Sequence, residues 1–149
     1  MLKVNRKTEY ALIVLKHFQA HGEEELTTAR MICEKYNTPF DTTSRVMQLM
    51  KNHGILSSSQ GVKGGYKLST NLNNINYYKL TELIEGKSIE HDCESINCNL
   101  IETCNITGPI KKLNEHLNYF FQTLTIRELL EDTPGPQSLL FKTKAINER

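Results

Sequence analysis

The segment Ser59-Gln60-Gly61-Val62-Lys63-Gly64-Gly65 narrows the fold of this chain more than any other. It joins two short runs, Ile55-Leu56-Ser57-Ser58 and Tyr66-Lys67-Leu68-Ser69, that read as strands. Its glycines supply the backbone freedom that a tight hairpin needs. Lys63 and Lys67 put positive charge at the tip.

Three helices are expected before this hairpin. From Thr8, a plausible cap, Ala11, Val14, Leu15 and Phe18 share one helical face, and His21-Gly22 ends the helix ahead of an acidic turn, Glu23 to Glu25. His17 and His21 stand four apart without a third ligand nearby and read as surface histidines. A second helix starts near Thr27 or Thr28 and turns Ala29, Ile32, Cys33 and Tyr36 inward, with Cys33 as a buried small hydrophobe. Asn37-Thr38-Pro39 breaks the chain and starts a third helix, Thr38 capping and Pro39 in the first turn. That helix runs from Phe40 to His53, with Phe40, Val46, Met47 and Met50 facing in and Gly54 stopping it.

The outward face of the third helix carries Asp41, Thr42, Ser44, Arg45, Gln48 and Lys51. It is polar, largely uncharged and rich in hydrogen-bonding groups, which suits base edges in a major groove. By themselves these residues equally fit a three-helix bundle with a solvated face. Followed at once by a glycine-rich basic hairpin, they make a winged helix-turn-helix over residues 1–76, whose wing suits phosphates or a minor groove.

Charge agrees with that division. The net charge of +1 over 149 residues separates into +4 before residue 70, from ten Lys and Arg against six Asp and Glu, and −3 after it, from eight against eleven. The basic half is where a polyanion would bind. The amino terminus is polar and basic with no apolar stretch behind it, and the longest apolar run, Tyr10 to Leu15, cannot span a bilayer. A cytoplasmic protein with no membrane partner is expected, in a compartment that keeps thiols reduced.

Residues 77–109 hold a short linker helix, Tyr77 to Glu85, closed by Gly86, and then Cys93-Glu94-Ser95-Ile96-Asn97-Cys98-Asn99-Leu100-Ile101-Glu102-Thr103-Cys104. Three of the four cysteines fall within these twelve residues, in a polar segment with no strand or helix period. They read as ligands of one metal centre. Thiolate selects zinc, cuprous copper or iron-sulfur clusters. Intervals of four and five residues are wider than the two to four usual for paired cysteines around zinc and wrap better around a cluster. Three free thiols, or a disulfide with one thiol over, are the alternatives.

Over residues 110–132 Pro109 opens the longest helix, in which Ile110, Leu113, Leu117, Phe120, Phe121 and Leu124 repeat at steps of three and four. Such a seam needs a partner surface, either its own domain or, since the winged helix is already complete, a second copy of the chain. A symmetric dimer would present two recognition helices to a two-fold related duplex. Thr125 to Glu131 adds a short helix, and Thr133-Pro134-Gly135-Pro136 opens a tail, 133–149, expected to be flexible. The fold class is mainly α with a small β-hairpin: a winged helix-turn-helix domain plus a long dimerisation helix.

The chain resembles the winged-helix regulators of the IscR/NsrR type, bacterial transcription factors of which several hold an iron-sulfur cluster. The likeness covers about residues 1–132 and rests on Thr8-Glu9-Tyr10-Ala11-Leu12, on Gly61 with Gly64-Gly65-Tyr66-Lys67-Leu68, on the three-cysteine segment, and on Leu124-Thr125-Ile126-Arg127-Glu128-Leu129. The resemblance implies that Cys93, Cys98 and Cys104 ligate an iron-sulfur cluster, the four-iron form preferred over the two-iron form. In IscR-like members a histidine three residues past the last cysteine completes the site, but Thr107 stands there. In NsrR-like members a carboxylate in the first helix of the other subunit does so, and the matching residue is Glu9; His91 and His116 are fallbacks. A carboxylate ligand would leave one iron labile and open to small molecules, which suits a sensor. The resemblance also places base contacts on Asp41, Ser44 and Arg45, and sets Gln60 where a minor-groove arginine often stands, with Lys63 as a substitute charge.

The expected function is a dimeric DNA-binding regulator, a repressor, sensing nitric oxide, iron or redox state through the cluster. The alternatives keep the winged helix but use zinc, a thiol-disulfide switch or a protein partner. An enzyme with a cysteine nucleophile is disfavoured, because the segment assembles no cysteine, histidine and acid constellation.

Overall fold

Asn5, not Thr8, starts the first helix. In the computed structural model, which describes residues 4–22, 26–86 and 98–132, the Asn5 side chain accepts from the Lys7 N–H, and α1 runs from Arg6 to His21. A cap of this kind is worth about 1 kcal/mol. Thr8 lies inside the first turn and is fully buried, its hydroxyl donating to Glu85 Oε1 at 3.2 Å. The expected inward face holds, since Ala11, Val14, Leu15 and Phe18 are all inaccessible to solvent.

Of the two histidines of α1, His21 is exposed as expected and His17 departs from expectation. His17 is buried between two hydroxyl groups, with Tyr36 Oη at 3.0 Å from Nδ1 and Thr27 Oγ1 at 3.0 Å from Nε2. His21 stacks on it at 4.2 Å, and Lys35 Nζ reaches His21 Nε2 at 2.7 Å. Polar partners at both ring nitrogens let an imidazole enter the interior, a pairing invisible to helical periodicity.

Thr28 caps α2 (Ala29–Tyr36) by accepting from the Met31 N–H, and Asn37 ends it in the left-handed region at φ 53°. The inward stripe is narrower than expected: Ala29 and Ile32 are buried, Cys33 is half-buried and Tyr36 is exposed. Pro39, rather than Thr38, takes the cap position of α3 (Phe40–Asn52) and offers no side-chain bond. The Thr38 hydroxyl instead donates to Cys33 Sγ and accepts from Thr43 Oγ1. With the helix starting immediately after proline, Phe40 turns outward and is 51% exposed, contrary to its expected inward place. Val46, Met47 and Met50 fill the core as expected.

The hairpin consists of β1 (Leu56–Ser59) and β2 (Gly65–Leu68), antiparallel, with Leu56 opposite Leu68 and Ser58 opposite Tyr66. The glycines serve two different needs. Gly61 adopts φ 112°, whereas a Cβ at Gly64 would strike the Ser59 carbonyl oxygen and one at Gly65 would meet the Thr27 backbone at 3.2 Å. That second approach is close because Thr27 and Tyr66 exchange both backbone hydrogen bonds, 2.8 and 2.9 Å, stitching the hairpin to the entry of α2.

A 3₁₀ turn, Leu72–Asn74, leads to α4 (Tyr77–Glu85), capped by Asn76 and closed by Gly86 at φ 66°. The long helix, α5 (Thr107–Thr123), begins two residues before Pro109, and α6 (Ile126–Leu130) follows. The end of α5 returns to the domain through Tyr77 N–H to Leu124 O at 2.9 Å and Ile126 N–H to Ile75 O at 2.8 Å. Phe121 and Ile126 are buried there, whereas Leu113 is 54% and Phe120 37% exposed. Among the described residues no helix is long and apolar enough to cross a membrane. The expectations for Glu23 to Glu25, His91, Cys93 and the tail 133–149 lie outside the described residues.

Candidate nucleic-acid interface and cysteine segment

Helical geometry sorts the outward face of α3 into two adjacent rows, Phe40-Ser44-Gln48 and Asp41-Arg45-Leu49, each spaced by four residues. These six residues line one shallow groove of about 430 Å³. Asp41, Arg45, Gln48 and Lys51 are exposed, and Thr42 and Ser44 are half-buried. The wing is tied to the same face, because the Tyr66 hydroxyl donates to Gln48 Oε1 at 3.1 Å. Gln60 and Lys63 are exposed on the loop between the strands, with Val62 fully exposed between Gly61 and Lys63. The structure thus brings the α3 residues together and fixes them to the wing through Tyr66. Sequence reasoning used Tyr66 only as part of a motif, although its place in the hairpin opposite Ser58 was the available clue.

A second groove, about 440 Å³, lies on the other flank of α3. Lys7 from α1, Asp41, Thr42 and Arg45 from α3, and Glu85 and Gly86 from the end of α4 border it. The start of α1, the start of α3 and the end of α4 therefore meet. The Thr8 to Glu85 hydrogen bond fastens two of these three elements.

Glu9 follows Thr8 and is partly exposed, paired within its own helix to Arg6 Nη1 at 3.0 Å. Cys98 is exposed and Cys104 half-buried, both free thiols, on a run of turns in which Cys98 O accepts from the Ile101 N–H at 3.2 Å. Cys104 stands just before α5. The Thr107 hydroxyl foremost, then the backbone N–H of Ile106, holds its thiol below the ordinary value, against a smaller opposing effect of burial. Thr107, the residue standing where IscR-like members have histidine, donates its hydroxyl to the Cys104 carbonyl oxygen at 3.5 Å. His116, a fallback ligand, donates Nδ1–H to Lys112 O at 2.7 Å within α5. Among the described residues no three His, Cys, Asp or Glu side chains converge as a metal site; Cys93 lies outside them.

Comparison with known proteins gives consistent matches. The family described as "Rrf2: Iron-dependent Transcriptional regulator" matches residues 4–132. The HTH-type transcriptional regulator NsrR of Bacillus subtilis is 25% identical over 142 residues, spanning 93% of this chain and 97% of the relative. Among solved structures, CymR, the global cysteine regulator of B. subtilis, superposes with a TM-score of 0.66 at 18% identity over 89% of this chain and 99% of that one. IscR of T. potens superposes with a TM-score of 0.61 at 17% identity over 91% of each chain. The structural matches show a shared winged-helix fold.

Proposed function

Because this chain belongs to the Rrf2 family of transcriptional regulators, we propose that it is a homodimeric repressor whose hold on a two-fold related DNA site follows the state of an iron-sulfur cluster on Cys93, Cys98 and Cys104. The observation that carries the DNA half is the bond from the Tyr66 hydroxyl to Gln48, which makes recognition helix and wing one surface. Asp41, Ser44, Arg45 and Gln48 present hydrogen-bonding groups to base edges, while Gln60 and Lys63 reach the backbone or minor groove. The exposed Leu113 and Phe120 of α5 give the second copy its apolar seat.

The donor chemistry supports the switch half. Cys98 and Cys104 are free, and hydrogen bonds at Cys104 favour the thiolate, the form that ligates metal. Glu9 of the partner subunit is the proposed fourth ligand, and the cluster when bound would supply a redox-active centre with one exchangeable position. The remainder of the mechanism belongs to the chain itself. Thr8, next to Glu9, holds Glu85, and Glu85 shares a groove with Asp41, Thr42 and Arg45. A shift in α1 or in the segment leaving Gly86 therefore bears on the first turn of the recognition helix. Coupling between two sites of this kind is typically about 1–3 kcal/mol.

Iron and acid-labile sulfide assays on protein purified without oxygen test this reading. Near-stoichiometric iron and sulfide are expected in the native chain, lost in Cys98→Ser and weakened in Glu9→Ala. Colourless protein carrying zinc or no metal would overturn it. Two free thiols on one short segment favour thiol oxidation as the second reading, in which mild oxidant would produce a disulfide detectable by mass spectrometry.

A further inference from the structure

We propose that Phe40 reads the 5-methyl group of a thymine in the major groove, about two base pairs from the base contacted by Arg45. The inference rests on the DNA-binding reading above and adds to it an apolar contact at a position that helical pattern had assigned to the core.

Phe40 is the first residue of α3 and 51% exposed, a large aromatic side chain left in water by a domain that buries Val46, Met47 and Met50 on the same helix. Its placement follows from Pro39, which occupies the cap position and sets the helical phase. Phe40 heads the row completed by Ser44 and Gln48 and lines the groove that also holds Asp41 and Arg45. Gln48 is held by Tyr66 of the wing, so the wing marks one end of this row and Phe40 the other. In helix-turn-helix docking the amino-terminal residues of the recognition helix lie against base edges. The only apolar group that a base pair offers in the major groove is the thymine methyl, and phenylalanine is among the side chains that contact it. A hydrogen-bonding neighbour such as Arg45 cannot make that distinction, because deoxyuridine and thymidine present the same acceptor.

The test uses the full-length chain. Duplex sites are selected from a random pool by native protein, and each thymine of the recovered site is replaced singly by deoxyuridine, which removes the methyl and keeps the pairing. Affinities are then measured by fluorescence anisotropy for the native chain, Phe40→Leu and Phe40→Ala. At one thymine in each half-site the native chain should lose about three- to fivefold, the value of one buried methyl. From the helical rise between Phe40 and Arg45, that thymine should stand about two base pairs from the guanine on which Arg45 depends. Phe40→Leu should keep most of the effect, and Phe40→Ala should bind thymine and uracil sites alike. Uracil without effect at every thymine, or with an equal effect in Phe40→Ala, would overturn the inference while leaving DNA binding intact. Failure to enrich any sequence would instead remove the DNA-binding reading and this inference with it.

Discussion

Single residues carry the precision of the proposed DNA face. Arg45 is exposed beside Asp41 and Ser44, and a bidentate guanidinium contact to guanine discriminates by about 1–3 kcal/mol. Arg45→Lys should keep the charge but lose most of that discrimination, measured as the affinity ratio between selected and guanine-substituted sites. Gly64 is the tightest point of the wing, where an added Cβ would strike the Ser59 carbonyl oxygen. Gly64→Ala should therefore cost about 1–3 kcal/mol in thermal or denaturant unfolding, while a substitution at the open neighbour Val62 should cost almost nothing in stability. Residue-level reading of the sequence succeeded where chemistry is local: glycines in a hairpin and a polar face on α3. It failed where a distant partner decides the outcome. Thr8 looked like a cap but is buried and bonded to Glu85, 77 positions away, and His17 looked exposed but is enclosed by Thr27 and Tyr36.

At the scale of elements, the wing is held by two devices, the backbone bonds between Thr27 and Tyr66 and the Tyr66 hydroxyl on Gln48. Tyr66→Phe removes only the second. Stability should change little, because the bond is exposed, and operator affinity should fall by about 0.5–1.5 kcal/mol, a typical hydrogen-bond contribution. The junction of α4 with α5 makes a different prediction. Tyr77 packs against Phe121 at 5.1 Å, and burial raises its phenol above the ordinary 10.0, with Glu85 adding to the rise and the Thr81 hydrogen bond opposing it. A raised folded value gives stability that is complete below the unfolded value and is lost as pH climbs through the folded one. Melting temperature should accordingly fall above about pH 10, and Tyr77→Phe should flatten that fall. The elements were largely legible in the sequence, α4 to the residue and α1 to α3 within a turn. The start of α5 was misplaced to Pro109, because proline suits a first turn but need not be its first residue.

For the whole molecule, a long helix that among the described residues buries only Phe121 suits the proposed dimer. Leu113→Glu places a charge on the exposed part of that seam. It should leave each chain folded, shift sedimentation from dimer to monomer, and weaken binding to a two-half-site operator far more than to a single half-site. The proposed switch couples the cysteine segment to the DNA face through Glu9, Thr8 and Glu85. The measurement that tests it most directly is the affinity of one anaerobic preparation for its selected operator, before and after iron is stripped by a chelator. Stripping should change affinity by about 5–150-fold, a difference reduced toward unity in Glu9→Ala. Equal affinities with and without iron, in a preparation shown to have carried the cluster, would contradict it.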